Sequence, residues 1–246
     1  AHIAEEAGVD RIFVDMEYIG KTDRQGGMDT VQSRHTADDV RRLAQCLNKS
    51  ELFVRVNPIH EKTDKYSSSK EEIDEVIEAG ADLLMLPYFK TAEEVQTFVK
   101  YVDGRAKTVL LVETPEAAAI AENLVKIPGI DEMFIGLNDL SLGYGKNFMF
   151  ELLLDGTVEE LCLKFRKGGI PYGFGGIASL GKGMLPSEYV IKEHYRLGST
   201  CAILSRSFCR TDQVTDLKEI QKIFETELPK IRELEEECRV YSEYFW

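Results

Sequence analysis

The chain is 246 residues long, which suits one large α/β domain, since barrels of about 250 residues fold as a single unit. Its formal net charge of −13 at pH 7 argues against nucleic acid and anionic membrane as partners, because binding either requires a basic surface. No apolar run approaches the roughly 18 residues of a membrane span, and five scattered cysteines without metal-ligand spacing favour a reducing, cytoplasmic setting.

Short apolar strands alternate with amphipathic helices along the chain. A helical segment closed by Gly8 precedes the first strand, and no strand comes before that helix. The predicted strands are RIFVDME, ELFVRVNP, DLLMLPY, TVLLVE, EMFIG, PYGFGGI and CAILSRSF. The predicted helices between them are TADDVRRLAQCL, KEEIDEVIEAG, TAEEVQTFVKYV and PEAAAIAENLV, followed by one from about Thr157 to Lys167 and one around Pro186 to Leu197.

This alternation of strands and helices predicts a parallel sheet, because parallel strands need a crossover connection that a helix usually supplies. At this length, eight units closed on themselves fit better than an open sheet. The predicted fold is therefore a (β/α)8 TIM barrel, with its first strand absent from this chain. Residues 1–210 would form the catalytic barrel domain.

Two segments do not fit a simple barrel. The polar loop from Tyr18 to Arg34 is too long for an ordinary strand-to-helix connection, which makes it a candidate lid or substrate loop. Residues 211–246 are charged and helical, and they are longer than one closing helix needs. They predict either a helical arm that packs on another subunit of a homo-oligomer or a two-helix cap on the same chain.

Two of the predicted strands end in carboxylates. Glu113 stands where TVLLVE stops, and Asp139 lies just past EMFIG, one helix further along the chain. Neighbouring parallel strands end on the same side and lie roughly 4.8 Å apart, so these two side chains can converge on one hard cation. Alternatively, each carboxylate could only stabilise the N-terminus of the helix that follows it.

Other polar residues also fall near strand ends, where the catalytic loops of a barrel lie. Acidic groups at several strand ends, together with one arginine, suit a divalent cation that holds an anionic, oxygen-rich substrate. Arg55 could instead be a structural ion-pair partner. The residues at these positions are Asp15, Glu17, Arg55, Glu113, Asn138, Asp139, Ser205 and Arg206.

The stretches VETPEA and PGIDEMFIGLNDLSLGYG resemble the paired metal-ligand motifs of the HpcH/HpaI aldolase and citrate lyase family. GVDRIFVDME resembles the family's second strand, LFVRVNP its arginine strand, and EAGADLLMLPYFKTAEEV its fourth strand with the next helix. The resemblance covers most of the chain. The long loop, IPYGFGGI, EHYRLGS and the C-terminal arm resemble a divergent branch associated with surface-polysaccharide gene sets.

The resemblance implies a class II, divalent-metal-dependent aldolase or carbon-carbon lyase. Such enzymes cleave or form a bond next to a 2-oxo acid such as pyruvate or oxaloacetate, with an aldehyde as the other partner. The metal, Mg²⁺ or alternatively Mn²⁺ or Co²⁺, would chelate the carboxylate and keto oxygens and stabilise the enolate. By the same resemblance, Glu113 and Asp139 would be metal ligands, Arg55 would contact substrate oxygens, and Leu137, Asn138 and Asp139 would help to hold the substrate carboxylate.

The sequence departs from the family pattern at two positions. Typical members have an acid-base histidine where this chain has Tyr18, and a glutamine where it has Leu111. Three groups could replace the histidine: His35 folding back from the end of the long loop, Tyr18 in place, or Glu17 acting through a metal-bound water. A histidine titrates near neutrality, which favours His35. Glu78 is a weaker candidate for the carboxylate that orients it.

Two alternatives remain open at the level of sequence. The first is a lyase acting on a citryl-CoA or malyl-CoA type thioester, although the acidic chain offers few basic residues for the CoA phosphates. The second is a catalytically inactive barrel that keeps its metal site and serves as a binding or scaffold subunit. Loss of the histidine favours the second.

Overall fold

A computed structural model describes residues 1–21 and 34–245, with side chains up to residue 240. The substrate-loop prediction for Tyr18 to Arg34 therefore lies mostly outside the described residues. The strands are β1 (Arg11–Asp15), β2 (Glu51–Arg55), β3 (Leu83–Leu86), β4 (Lys107–Val112), β5 (Glu132–Ile135), β6 (Tyr172–Ile177) and β7 (Cys201–Leu204). The described helices are α1 (His2–Glu6), α2 (Ala37–Cys46), α3 (Ser69–Glu78), α4 (Ala92–Val102), α5 (Pro115–Ala119), α6 (Ala121–Leu124), α7 (Leu137–Gly143), α8 (Glu151–Leu154), α9 (Thr157–Lys167), α10 (Ser187–Leu197) and α11 (Leu217–Phe245).

The seven predicted strands are all present, and they form one all-parallel sheet in the order β1 to β7. The sheet curls, but within the described residues its two edge strands, β1 and β7, do not pair with each other. The structure is thus an open half-barrel, and the expectation of a closed eight-stranded barrel is corrected in this respect. Closure requires a strand that hydrogen-bonds to both edges, and no described segment occupies that position.

Alternate residues of the strands pack into two separate cores. One face of the sheet packs against the helices, and Val14, Val54 and Val112 belong to that large core. The opposite face carries a smaller cluster of Phe53, Leu83, Met85, Val109, Leu111 and Phe134, with Phe13, Cys201 and Ile203 against it. Because strand side chains alternate between faces, residues two positions beyond this inner cluster also project inward.

The predicted helices are present, but one of them is broken in two and two further helices were not predicted. Both predicted capping boxes form, at Thr36 with Asp39 and at Thr91 with Glu94. The helix predicted as PEAAAIAENLV is broken in two at Ile120. The segment that carries Asp139, which lies just past a predicted strand, forms the helix α7, and Glu151–Leu154 form α8; the sequence pattern predicted neither helix.

The C-terminal segment is one helix of 29 residues that contains Pro229, rather than a two-helix cap. It packs against α10 and α1 of its own chain, with Leu228 and Ile231 buried in the large core. Arg232 forms an ion pair with Asp10 at 2.7 Å. The packing of this helix on another subunit, and the division of the chain after residue 210, stay predictions. Among the described helices, none has the length and apolar character needed to cross a bilayer.

Candidate active site

Three charged residues at the strand ends, Asp15, Arg55 and Glu113, project to the inner face of the sheet. Asp15 comes two residues after Phe13 and Arg55 two residues after Phe53, and both phenylalanines lie on that face. Glu113 follows Leu111 with the same spacing. Strand register also places Asp15 directly beside Arg55. The alternation of the strands therefore brings the three charged side chains to one mouth of the half-barrel.

Asp15 and Arg55 form a two-point ion pair at the centre of this mouth. Nε and Nη2 of Arg55 donate to the two carboxylate oxygens of Asp15 at 2.9 and 2.8 Å. Burial opposes the charged form of Asp15, but hydrogen bonds and charge from Arg55, and then from Lys21, outweigh it and lower the Asp15 pKa to about 2. Burial likewise works against the charged form of Arg55, and the carboxylates of Asp15, Glu17 and Glu113 raise its pKa.

Glu17 and Lys21 complete the cluster. Glu17 is 1 % exposed, and its Oε2 lies 3.4 Å from Nη1 of Arg55. Lys21 is also buried: its Nζ donates to Oδ2 of Asp15 at 2.7 Å and lies 3.7 Å from Oε2 of Glu17. Each cation thus contacts the same two carboxylates.

Glu113 is held in a narrow space between two backbone segments. It is 3 % exposed, and its Oε1 accepts the amide of Tyr88 at 2.9 Å. Tyr88 has a left-handed φ of 49°, which is uncommon for a residue with a side chain, and this turn aims its amide at the carboxylate. A Cβ added to Gly136 would lie 2.7 Å from Cβ of Glu113 and 3.0 Å from Oε2. Glycine at 136 therefore leaves the room that the carboxylate occupies.

Asp139 lies in the first turn of α7, which begins directly after Gly136. The amide of Gly136 donates to the carbonyl of Val112 at 3.0 Å, so α7 starts beside the end of β4. Asp139 is half-buried, and Asn138, whose side chain donates to it at 3.4 Å, is exposed. Leu137 is buried in the large core. The structure thus brings the helix that carries Asp139 against Glu113.

His35 and Tyr18, two candidates for the missing acid-base group, lie at the rim. The Nδ1 of His35 is 3.2 Å from the carbonyl oxygen of Asp15, and the ring is exposed. Tyr18 is 46 % exposed and contacts the ring of Tyr66, with 5.5 Å between ring centroids. Partial burial first, and then the charges of Glu72 and Tyr66, raise the Tyr18 pKa above its usual value.

Asn57 and Glu72 hold the segment after β1 in place, and neither role could be predicted from the sequence. Oδ1 of Asn57 accepts the amides of Tyr18 and Ile19, both at 2.9 Å. Nδ2 of Asn57 donates to Oε1 of Glu72 at 2.8 Å. Burial raises the Glu72 pKa. Glu78, the candidate for orienting the histidine, is instead exposed at the last position of α3.

Ser205 and Arg206 follow β7 as predicted. The amide of Ser205 extends the pairing of β7 with β6 by donating to the carbonyl of Ile177 at 2.7 Å, and Arg206 is exposed. Their role in binding an anionic group stays a prediction.

A large cavity lies away from Glu113 and Asp139. It has a volume of about 1010 Å³ and is lined by residues of the strand starts and of α11, such as Arg11, Glu51, Glu132 and Leu228. Glu113 and Asp139 do not line it. Its lining also includes Phe13, Phe53 and Phe134, so it lies against the inner face of the sheet.

The donor set at the charged mouth suits a hard divalent cation. Glu113 and Asp139 offer carboxylate oxygens, which Mg²⁺ and Mn²⁺ prefer, and two protein ligands leave other positions for water or substrate. Gly136 lies so close to Glu113 that any side chain at position 136 would collide with this carboxylate. By the chemistry of their donor atoms, the two carboxylates fit such an ion.

Comparisons with known proteins give a consistent result. A family model described as HpcH/HpaI aldolase/citrate lyase matches residues 1–153. Among solved structures, a HpcH/HpaI aldolase/citrate lyase family protein from Burkholderia cenocepacia J2315 is similar with a TM-score of 0.64 and 16% identity, covering 89% of this chain and 90% of that one. A HpcH/HpaI aldolase from Desulfitobacterium hafniense DCB-2 has a TM-score of 0.64 and 15% identity, with 90% and 87% covered.

A further similar structure is the citrate lyase beta subunit from M. tuberculosis, complexed with oxaloacetate and magnesium. Its TM-score is 0.57 at 15% identity, and 91% of each chain is covered. No curated protein sequence matches this chain. At these identities the structural likeness establishes the fold.

Proposed function

Since this chain belongs to the HpcH/HpaI aldolase/citrate lyase family, we propose that it is a divalent-metal-dependent carbon-carbon lyase of the class II aldolase type. Its substrate would be a small 2-oxo acid of the pyruvate or oxaloacetate kind, with an aldehyde as the other partner in the aldol direction. The citrate lyase subunit noted above is complexed with oxaloacetate and magnesium. That similarity favours Mg²⁺ and a short 2-oxo acid here.

The observation that carries the proposal is the confinement of Glu113 against the start of α7. Its buried carboxylate accepts the Tyr88 amide and lies in the space left by Gly136, three residues before Asp139. When bound by Glu113 and Asp139, a divalent cation would supply Lewis-acid stabilisation of negative charge on the substrate oxygens. The amides of Leu137, Asn138 and Asp139 open α7, and we propose that they help to orient the substrate carboxylate.

Arg55 would provide the second positive charge. Its Nε and Nη2 are directed to Asp15, so the guanidinium is fixed before substrate arrives. The third guanidinium nitrogen, Nη1, does not bind Asp15 and lies 3.4 Å from Oε2 of Glu17. A fixed, charged donor of this kind stabilises developing negative charge without reorganising during the reaction.

His35 is the best-placed of the acid-base candidates. A carbonyl oxygen can only accept a hydrogen bond, so Nδ1 of His35 would donate to the Asp15 carbonyl, and this contact holds the ring beside the charged mouth. Tyr18 would have to ionise to act as a base, and its raised pKa opposes this at neutral pH. Glu17 already contacts Arg55 and Lys21.

Oxaloacetate decarboxylation tests the proposal directly. This reaction requires only that negative charge on the 2-oxo acid be stabilised, so it needs neither the native aldehyde nor an identified base. We expect turnover that depends on added Mg²⁺ or Mn²⁺ and disappears with EDTA. Turnover that persists after complete chelation would contradict a metal-dependent lyase.

A non-catalytic metal-binding barrel is the second candidate, because Tyr18, which stands in the place of the family's histidine, packs against Tyr66 and is a poor base. It predicts that Mn²⁺ raises the melting temperature while no oxaloacetate is consumed. A homo-oligomeric assembly and a cytoplasmic location are further parts of the proposal. Size-exclusion chromatography with light scattering tests the assembly.

Gly136→Ala is expected to lower Mg²⁺-dependent turnover at least tenfold, because its Cβ would displace the Glu113 carboxylate. The measurement is kcat/KM for oxaloacetate, with Mn²⁺ affinity measured in parallel. Gly145→Ala is the matched control: its Cβ meets nothing within 4 Å, although its φ of 68° strains any side chain. Equal activity in both variants would mean that the space beside Glu113 is unimportant.

A further inference from the structure

Among the described residues, Lys21 is the cation of the charged mouth whose role does not follow from the resemblance. Its side chain is 6 % exposed, although lysine is among the residues that are rarely buried unless paired. It reaches the mouth from the segment after β1, and its amide donates to the carbonyl of Tyr18 at 3.3 Å. Asn57 holds that segment in turn through the amides of Tyr18 and Ile19.

Lys21 and Arg55 share one acceptor. Oδ2 of Asp15 accepts from Nζ of Lys21 at 2.7 Å and from Nη2 of Arg55 at 2.8 Å. Oε2 of Glu17 lies between the same two cations, at 3.7 Å from Lys21 and 3.4 Å from Arg55. A carboxylate that is held on both sides has little freedom to rotate, and the guanidinium bound to it is held in the same plane.

Lys21 also reduces the net negative charge of the mouth. Asp15, Glu17 and Glu113 bring three carboxylates to the mouth, and within the described residues Arg55 and Lys21 are the cations paired with them. A 2-oxo dicarboxylate adds further negative charge. Without Lys21 the field at the mouth would repel such a substrate more strongly.

We propose that Lys21 is a positioning residue of the active site, which fixes Asp15 in the orientation that aligns Arg55 and offsets the carboxylate charge where an anionic substrate binds. This inference rests on the proposed function. Lys21 acts through Asp15 and Glu17 and not by attack on the substrate, because its ammonium donates to carboxylates. No covalent adduct with pyruvate is therefore expected on borohydride treatment.

The kinetic test compares Lys21→Met, which removes the charge at similar length, with Lys21→Arg, which keeps it. For Mg²⁺-dependent oxaloacetate decarboxylation we expect Lys21→Met to raise KM and lower kcat/KM about tenfold or more. Lys21→Arg should retain most of the activity. Lys126→Met, at an exposed lysine between α6 and β5, is the control and should match the unmodified protein.

The pH profile separates positioning from simple destabilisation. Within residues 1–21 and 34–240, the groups that face the Asp15 side chain are Arg55, Lys21 and the amide of Glu17, with the His35 ring at the Asp15 carbonyl oxygen. The Glu17 carboxylate lies beside the same two cations. Removing Lys21 takes away one of the two cations that keep Asp15 ionised, so the acid limb of kcat/KM should move to higher pH. A uniform loss at every pH, or activity equal to that of Lys126→Met, would overturn the proposal.

A thermal measurement keeps the inference testable if the unmodified protein shows no turnover. Asp15 has a lowered pKa in the folded state, so its ion pairs stabilise the fold above its unfolded pKa near 3.8 and are lost as the pH falls towards about 2. Lys21→Met should therefore melt below the unmodified protein at pH 7, and this difference should shrink below about pH 4. A difference that is absent, or constant with pH, would overturn the positioning role, whereas absent turnover alone would contradict only the proposed lyase activity. If Lys21→Met fails to fold, Lys21→Gln is put through the same two measurements.

Discussion

Glu113→Gln is expected to lower Mg²⁺-dependent oxaloacetate decarboxylation about a thousandfold, which corresponds to roughly 4 kcal/mol of transition-state stabilisation. Glutamine has nearly the same size, and its amide oxygen can still accept the Tyr88 amide that now bonds to Oε1. The change therefore removes the negative charge and leaves the local packing in place. The measurement is kcat/KM at saturating Mg²⁺, together with the Mn²⁺ dissociation constant.

Glu116→Gln is the matched control for this variant. Glu116 lies three residues further on, is half-exposed, and forms a surface ion pair with Lys90 at 3.1 Å. Such pairs contribute little, so its activity should stay within about twofold of the unmodified protein. Asp139→Asn should resemble Glu113→Gln. If Glu113→Gln keeps full, metal-dependent turnover, Glu113 is not a metal ligand.

Arg55→Met is expected to remove activity and also to destabilise the fold by roughly 3 kcal/mol at pH 7, because it leaves two carboxylates at a buried site with one fewer cation. Asp15 would lose its two-point partner, and Glu17 would lose the contact at 3.4 Å. Urea unfolding monitored by circular dichroism gives the free energy of unfolding. Arg41→Met is the control, since Arg41 is exposed and pairs with Asp38 on the surface of α2.

The double variant Asp15→Asn/Arg55→Met distinguishes an unpaired charge from lost packing. With a neutral amide at position 15, one uncompensated charge is gone, so the double variant should be more stable than Arg55→Met alone. If its stability is lower instead, by the sum of the two single effects, the ion pair is not the source of the destabilisation.

The pH dependence of Arg55→Met follows from the direction of the Asp15 pKa shift. The Arg55 pairing contributes to the lowered pKa of about 2, and this contribution to stability is lost as the pH falls through that value. The difference in unfolding free energy between Arg55→Met and the unmodified protein should therefore be largest above pH 4 and decrease in more acidic solution. A destabilisation that is unchanged between pH 7 and pH 3 would point to packing.

Most of the local structure could be predicted from the sequence. The apolar runs located all seven strands, and the capping boxes at Thr36 and Thr91 located two helix starts. Strands and helix starts depend on the conformational preferences of residues that are close together in the sequence, within about one or two helical turns. The sequence does not predict helix α7. Its segment, GLNDLSLG, is short, has glycine and not serine at the N-cap position, and shows no clear helical spacing of apolar residues.

The sequence by itself determined the alternation of strands and helices and the placement of Asp15, Arg55 and Glu113 at strand ends, with Asp139 a few residues after β5, since these depend on local pattern. The remaining features required the tertiary structure. The open sheet depends on whether a segment bridges β1 and β7, and the proximity of Lys21 and Asn57 to the site depends on the path of a loop. The contact of Gly136 with Glu113 depends on the register between two strands. Each of these features depends on contacts between residues that are far apart in the sequence. No local sequence pattern indicates such contacts, so they can be seen only in the folded chain.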